Sequence, residues 1–418
     1  MTSVLRRERP PATGRGQRPR VLIIIQNLSV PFDRRVWLEC QSLKRAGYHV
    51  TVVCPAGDGS VPHTVLDGIE IYTYRGYSPG GRAIGFVAEY AYSFAATARL
   101  VMKARRRGGP FDVMQACNPP DIFWPLAEAL RRRDGTRFVF DHHDLCPELY
   151  RSRFGNSTSP AYRGLLFLER MTFRTADRVT STNESYADVA RRRGGKPAED
   201  VTVVRTGPDP EKLKAGPPDP TLRHGRRHLV AYIGVMGPQD GVDLAVRAAG
   251  RIVHDLGRRD VSFVFMGSGD CHPDLVALRD ELDLGDYLDL PGRVPDEFVH
   301  RVLSTADVCL SPDPMNPLND VSTMNKTMEY MAYGLPVVAF DLHETRVSAG
   351  PAAVYVEPND VDRFARAVVD LLDQPDVRSE MGRLGRKRVV EELAWEHQEG
   401  GYVDVFDDLT RVLSERGR

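Results

Sequence analysis

The chain has 418 residues, 42% hydrophobic and 27% charged, which suffices for two domains with cores of their own and excludes a disordered or membrane-embedded chain. Net charge is −1, but residues 1–200 carry 31 Lys+Arg against 20 Asp+Glu, a local +11, and the remainder carries −12. The basic half points to something anionic as its partner, with a solubilising surface bias as the alternative, and six cysteines without a CxxC pair argue against a zinc site or disulfide scaffold and for a reducing cytoplasm.

Residues 1–18 form an Arg- and Pro-rich tail, expected to be disordered. VLIII at 21–25 predicts a strand and is too short for a signal peptide or a membrane span. A helix from Arg34 to Gly47 follows, then the strands VTVVCP and IEIYTY, a long helix around 86–107, FDVMQA, a helix around 121–133 and FVFDHHD. After a mixed stretch, DRVTST and VTVVRTG complete the first half. Residues 206–225 hold five prolines without periodicity and read as linker. The rhythm restarts with HLVAYIG, a helix from about 239, VSFVFMGSG, a helix around 273–283, YLDLPG, a helix at 296–304, DVCLSP, a further helix and LPVVAF. Alternating strands and helices predict an α/β fold of two doubly wound, Rossmann-like domains with parallel sheets, at 19–207 and 208–398. A last helix, 399–418, is expected to pack back on the first domain. Ligands of such sheets bind outside the carboxyl ends of the strands, here in the cleft expected between the domains.

In NDVSTMNKTMEYMAYGLPVVAF, residues 319–340, Ser322 is placed as the N-cap of a helix, with Gly334 and Pro336 ending it. At 100° per residue, Ser322, Asn325, Lys326 and Glu329 share one face, while Met324, Met328 and Met331 share the opposite one and read as core. A helix N-terminus suits phosphate, Lys326 adds a full charge, and the acceptor-only Glu329 suits a diol such as ribose hydroxyls. The alternative is a solvated face with a Lys326–Glu329 pair.

In the first half, QNLSVPFDRRVW (26–37) lies between a strand and a helix. Pro31 stiffens the loop, Asp33 precedes the helix, and Arg34 and Arg35 offer planar donors to phosphate; surface arginines at a helix start are the alternative. In FDHHDLCPELY (140–150) a strand ends in Asp141, His142, His143 and Asp144. Histidine orients a hydroxyl or takes its proton near neutral pH. Adjacent residues on a strand face opposite ways, which argues against a shared metal and predicts one histidine in the cleft and one packed, His143 being taken as the former. NPPDIFW (118–124) contributes Asn118. The helix around 86–107 has an apolar stripe of Phe86, Tyr90, Phe94 and Val101 and a basic end, which fits an anionic membrane surface; a core-facing helix is the alternative.

NKTMEYMAYGLPVVAF resembles the nucleotide-sugar motif of retaining GT-B glycosyltransferases of the family-4 type. The resemblance implies that Glu329 holds the donor ribose; Ser322, Thr323 and Lys326 are placed near the diphosphate, and Asn325 and Gly237 are counted among the donor-binding residues. FVFMGSGD, with Gly267 and Gly269, and YLDLPGRVPDEFVHRVLSTADVCLSP, with Gly292 ahead of backbone contacts to the base at Arg293 and Val294, agree in order along the chain. RRVWLECQSLKRAGYHVTVVCP resembles the start of the acceptor domain. Val321 stands where many members have a second glutamate, and the adjacent Asp320 is assigned to the sugar hydroxyls. Val235 and Asp240 stand where many have an Arg and a Lys that clamp the diphosphate, so Lys326, helix N-termini, Arg205 and the Arg34/Arg35 pair are the candidates to balance its charge. Where related enzymes place a histidine, Cys117 and Asn118 stand here, which points to His142, His143 and Asp144 as the polar groups near the reaction. The form of these segments is similar to a polysaccharide-assembly branch.

The resemblance implies transfer of a hexosyl group, with retention, from a nucleotide diphosphate-sugar, expected to be a UDP-sugar, to a hydroxyl acceptor, lipid-linked or anionic, in polysaccharide, glycolipid or other glycoconjugate synthesis. The donor is a co-substrate; no cofactor, no metal, there being no DxD-type site, and no nucleic acid is expected. A cytoplasmic protein is expected, with peripheral contact on the inner face of the cell membrane through the basic domain. A UDP-sugar epimerase and a non-catalytic nucleotide-sugar-binding protein are the other readings.

Overall fold

Eight strands form the first sheet: β1 (Arg20–Ile24), β2 (His49–Pro55), β3 (His63–Leu66), β4 (Ile69–Tyr74), β5 (Val113–Cys117), β6 (Arg137–His142), β7 (Arg178–Ser181) and β8 (Val201–Val203). The computed structural model describes residues 18–77, 83–155 and 158–416, so the predicted tail at 1–18 lies outside them save its last residue. The sheet order is β3-β4-β2-β1-β5-β6-β7-β8, parallel except for the β3–β4 pair. That hairpin escaped the sequence reading, although Asp67 and Gly68, both at positive φ, are the residues that a tight hairpin turn demands. β1 is buried along its whole length, which is why it reads as an unbroken apolar run.

Six parallel strands form the second sheet: β9 (His228–Ile233), β10 (Val261–Met266), β11 (Leu288–Gly292), β12 (Val308–Ser311), β13 (Val337–Phe340) and β14 (Ala353–Val356), in the order β11-β10-β9-β12-β13-β14. The chain divides into two compact units accordingly. Unit 1 takes the described residues up to Arg151, Gly155–Arg205 and those from Gln398 on; unit 2 takes Ser152–Phe154 and Thr206–His397. In each sheet the winding reverses once, between β1 and β5 and between β9 and β12, and the strand ends at such a reversal are where this architecture leaves room for a ligand.

Several predicted elements shift or fill in. The mixed stretch after β6 contains two helices, Cys146–Phe154 and Pro160–Thr175. The helix expected from about 239 starts later, at Val242–Gly250, because Gly241 at φ +64° ends the preceding loop. The long helix Ala83–Gly108 buries Ser93, Thr97, Val101 and Ala104, a stripe at helical spacing, and Phe94 stacks on Phe123 with ring centroids 6.2 Å apart. Phe94 and Val101 of the proposed membrane stripe therefore serve the core of unit 1, which is the core-facing alternative; the side chain of Phe86 lies outside the described residues. Among the described residues no helix is long and apolar enough to cross a membrane.

The last helix, Trp395–Arg416, buries Tyr402 and Phe406 completely. Its Asp407 accepts a 2.6 Å hydrogen bond from Tyr48 Oη, and Phe406 meets the Tyr48 ring edge-on.

Candidate functional site

In unit 1 the candidate residues converge on the carboxyl ends of β5 and β6. Asn118, just past β5, is buried and clamps the chain beyond β6. Its Oδ1 accepts from the backbone N–H groups of His143 (2.9 Å) and Asp144 (3.0 Å), and its Nδ2 donates to the Asp144 carbonyl (2.7 Å). The two histidines differ in burial, His142 being the last residue of β6 and His143 lying just past it. His142 is fully buried, its ring against Phe140, Phe173 and Tyr186 at centroid distances of 5.4, 4.9 and 5.4 Å. Burial, aided by Arg193, pushes its pKa down to about 3, so this ring is neutral and apolar in role. His143 is half-buried, and its Nδ1 lies 3.3 Å from Asp141 Oδ2, an ion pair off the line of a good hydrogen bond. Burial opposes a charge on this ring, but the Asp141 carboxylate outweighs it and raises His143 to about 9.

Arg34 and Arg35 part company. Arg34 is exposed. Arg35, expected to face phosphate, turns inward at 5% exposure: Nε lies 3.0 Å from Glu39 Oε1, Nη2 donates to Asp141 Oδ1 at 2.9 Å, and Nη1 donates to the Val204 carbonyl at 2.9 Å. Two buried carboxylates need a buried cation, and Arg35 supplies it. Burial works against the Asp141 carboxylate, but Arg35 and then His143 hold it well below its usual range, whereas burial together with Asp141 pushes Glu39 up. Asp33 caps the helix Arg34–Ala46 by accepting from Val36 N–H at 2.9 Å. Arg205 is half-buried, its backbone N–H directed at Gln398 Oε1, 3.3 Å away.

In unit 2 the strand ends are floored by backbone rather than by side chains. The loops after β9 and β10 interlock through Met236 N–H to Ser268 O (3.1 Å) and Cys271 N–H to Met236 O (2.9 Å), while Gly267 N–H reaches Gly292 O (3.0 Å). A Cβ on Gly267, at φ +148°, would stand 1.8 Å from the Gly234 carbonyl oxygen, so only glycine allows the approach.

The helix Asn325–Ala332 is tied to this floor by Tyr330, whose Oη accepts from Ile233 N–H at 2.8 Å. Its N-cap is Met324, not Ser322: the turn Asn319–Val321 takes the Ser322 N–H, and Ser322 Oγ donates instead to the Leu318 carbonyl at 2.7 Å. Met328 and Met331 are buried, as a core face requires, while Met324 is half-buried. Lys326 is engaged at 2.5 Å with the buried Asp313, over the Tyr232 ring at 5.2 Å. Burial opposes its charge, and Asp313 more than restores it. The partner of Lys326 is thus a residue beyond β12 rather than Glu329.

Asp240 Oδ2 accepts from Gly237 N–H at 2.9 Å, and burial raises its pKa to about 6 against the pull of Lys326. Asp320 Oδ1 accepts from His343 N–H at 2.8 Å. Glu329, Thr323 and Val294 are half-buried, and Asn325 and Arg293 are exposed. Chemically, unit 2 offers a glycine floor, a helix start and one compensated cation, whereas unit 1 offers a cationic imidazole.

Sequence reasoning missed Glu39, Gln115, Asp121 and Tyr402, all fully or almost fully buried. Glu39 was within reach, as it follows Arg35 by one helical turn. The others become polar partners only through tertiary contact.

Comparison with known proteins falls on the same division. A family model described as "Glycosyltransferase Family 4" matches residues 33–212, and one described as "Glycosyl transferases group 1" matches residues 227–374. Among curated proteins, alpha-D-kanosaminyltransferase of Streptomyces kanamyceticus is 28% identical over 221 residues, 51% of this chain and 55% of that protein, so the match spans little more than half of that relative's length. Among solved structures, sucrose-phosphate synthase of Thermosynechococcus elongatus aligns with a TM-score of 0.75 at 17% identity, covering 94% of this chain and all of that one. Anabaena Alr3699/HepE in complex with UDP-glucose aligns at 0.69 and 14% identity, covering 93% and 99%. These likenesses show the two-domain GT-B fold.

Proposed function

We propose, for a chain that belongs to the GT-B glycosyltransferases of the family-4 type, that it moves a glycosyl group from a nucleoside diphosphate sugar to an acceptor hydroxyl with retention at the anomeric carbon. The observation that carries this reading is the match of the second family model to residues 227–374, which include both the glycine floor and the helix Asn325–Ala332 with Glu329. UDP-glucose, the ligand of the Anabaena protein, is the first donor to test.

In this reading unit 2 takes the nucleotide. Glu329 accepts from the ribose hydroxyls, the backbone at Arg293 and Val294 meets the base, and Asp320 reads sugar hydroxyls. Ser322, Thr323, Asn325 and Gly237 lie along the diphosphate. The charge of Lys326 is already offset by Asp313, so N–H groups carry more of the anion than a lysine alone would. The bond from the anomeric carbon to the diphosphate oxygen breaks as the bond to the acceptor oxygen forms, the acceptor's hydroxyl proton passes to the departing diphosphate oxygen, and stabilising the departing charge is the main electrostatic task. His143, on the acceptor side, is a hydrogen-bond donor at neutral pH rather than a base. The basic first half supports an anionic or lipid-linked acceptor.

Glu329→Ala tests the reading. Loss of charge-assisted hydrogen bonds to a diol should weaken UDP-sugar binding by about 10- to 100-fold in titration calorimetry. The melting temperature of the ligand-free protein should stay put. An unchanged donor affinity overturns the assignment.

A further inference from the structure

We propose that Tyr402, on the last helix, is a positioning residue for His143, acting through a buried line of side chains that crosses unit 1. The inference rests on the reading of His143 as the acceptor-side donor. Tyr402 Oη donates to Gln115 Oε1 at 2.7 Å, and Gln115 Nε2 donates to Glu39 Oε2 at 2.7 Å. Glu39 Oε1 pairs with Arg35 Nε at 3.0 Å, and Arg35 Nη2 donates to Asp141 Oδ1 at 2.9 Å. Asp141 Oδ2 then faces His143 Nδ1 at 3.3 Å. Tyr402, Gln115, Glu39 and Asp141 are all completely buried. The line joins the last helix, β5, the helix Arg34–Ala46 and β6, and ends on the one member that reaches the strand-end surface.

Burying an ion-paired triad is costly, and apolar side chains of the same size would fill the space at no such cost. What the polar line adds is a fixed set of donors. With the Gln115 N–H turned toward Glu39, the amide oxygen is left facing the phenol, which donates to it, so Tyr402 supports the orientation that gives Glu39 a donor and opposes its protonation. An ionised Glu39 shares Arg35 with Asp141. Without the phenol, Gln115 loses its anchor and Glu39, already pushed up by burial, takes a proton more readily. Arg35 then bears on Asp141 alone, and Asp141 holds the imidazolium less firmly. The charged and titratable groups that face His143 are Asp141, Arg35, Asp33, Glu39 and His142. Loss of the Glu39 charge and closer pairing of Asp141 with Arg35 both disfavour the cation, so the effect has one sign.

The test is an NMR titration of the full chain labelled at histidine, with the His143 signal assigned from His143→Gln. Tyr402→Phe, which keeps the ring and its contacts, should lower the His143 midpoint by about 0.3 pH unit or more, Gln115→Leu should lower it further, and Asp141→Asn most. A folded Tyr402→Phe protein with the wild-type His143 midpoint overturns the proposal. Should that variant fail to fold, Gln115→Leu decides the same question alone. The titration needs no substrate. If His143→Gln transfers sugar at the wild-type rate, the acceptor-side reading fails, and the midpoint shifts still decide whether the line reaches His143.

Discussion

The strand ends of the two units are built differently. In unit 1 they carry charge: Arg35, Glu39, Asp141 and His143 form one buried ionic line, with Asn118 gripping the backbone of His143 and Asp144. In unit 2 backbone shapes the floor: Gly267 and Gly269 let the loops after β9 and β10 close on one another, and the charges beside it include the Lys326–Asp313 pair and Asp240. A surface that must approach an extended anionic ligand gains from having no side chains, because every Cβ would stand between ligand and N–H. A surface that must hold one imidazole in one protonation state gains from a network whose members orient each other. The difference teaches that two sheets that each wind outward from a single reversal point can carry very different strand ends, one closed by backbone and the other by a buried ionic line.

The sharpest way to break this comparison is to remove the central cation on each side. Arg35→Met removes the cation that Glu39 and Asp141 share, leaving only His143 beside Asp141, and should destabilise unit 1 by about 3–5 kcal/mol. Lys326→Met strands one fully buried carboxylate, Asp313, and should cost unit 2 less, about 3 kcal/mol. Urea unfolding measures the size and hydrogen exchange shows which unit loosens; a larger loss from Lys326→Met would reverse the comparison.

Next comes the floor. Gly267→Ala meets the Gly234 carbonyl and a positive φ together and should cost about 2–3 kcal/mol, while Gly285→Ala, with nothing within 4 Å, should be neutral. Equal melting temperatures for the two variants would mean that the loops move aside and the floor is not tight.

The smallest effect is a slope. Asp121 in unit 1 is raised from 3.8 to about 7, chiefly by burial. Between those values the folded state keeps a proton that the unfolded state has released, so stability falls as pH rises through that window. Asp121→Asn should flatten this fall, though not abolish it, because Glu169, also raised to about 7, contributes the same sign. Asp240→Asn in unit 2 should flatten only the part below about pH 6. Urea midpoints at pH 5, 6 and 8 separate the two; identical profiles for both variants would remove the distinction.

Much of the fold was legible because it is written in local pattern. Continuous apolar runs marked the parallel strands, and Gly47 and Gly334, both at positive φ, marked helix ends. The short β3 strand was not legible: three of its four residues are exposed, so it lacks the burial pattern that betrays a strand. In the candidate site, the helix bearing Glu329 was legible from its stop at Gly334 and Pro336, and two of the three methionines assigned to its core face, Met328 and Met331, are buried. Ser322 was misplaced as a cap because a short turn ahead of the helix competes for the same groups, and nothing local distinguishes the two outcomes.

What the sequence determined by itself is therefore what neighbours along the chain decide: element type, the α/β rhythm, the glycines that backbone conformation demands, and the motif order that marks the family. What only the tertiary structure decided is the partner of each charge. Arg35 reads as a phosphate donor until Glu39, Asp141 and Val204 are seen around it, and Lys326 as a free cation until Asp313 is. The physical reason is that a buried charge is set by groups within a few ångströms from any part of the chain, as far as 106 residues away for Arg35 and Asp141, and sequence proximity carries no record of them.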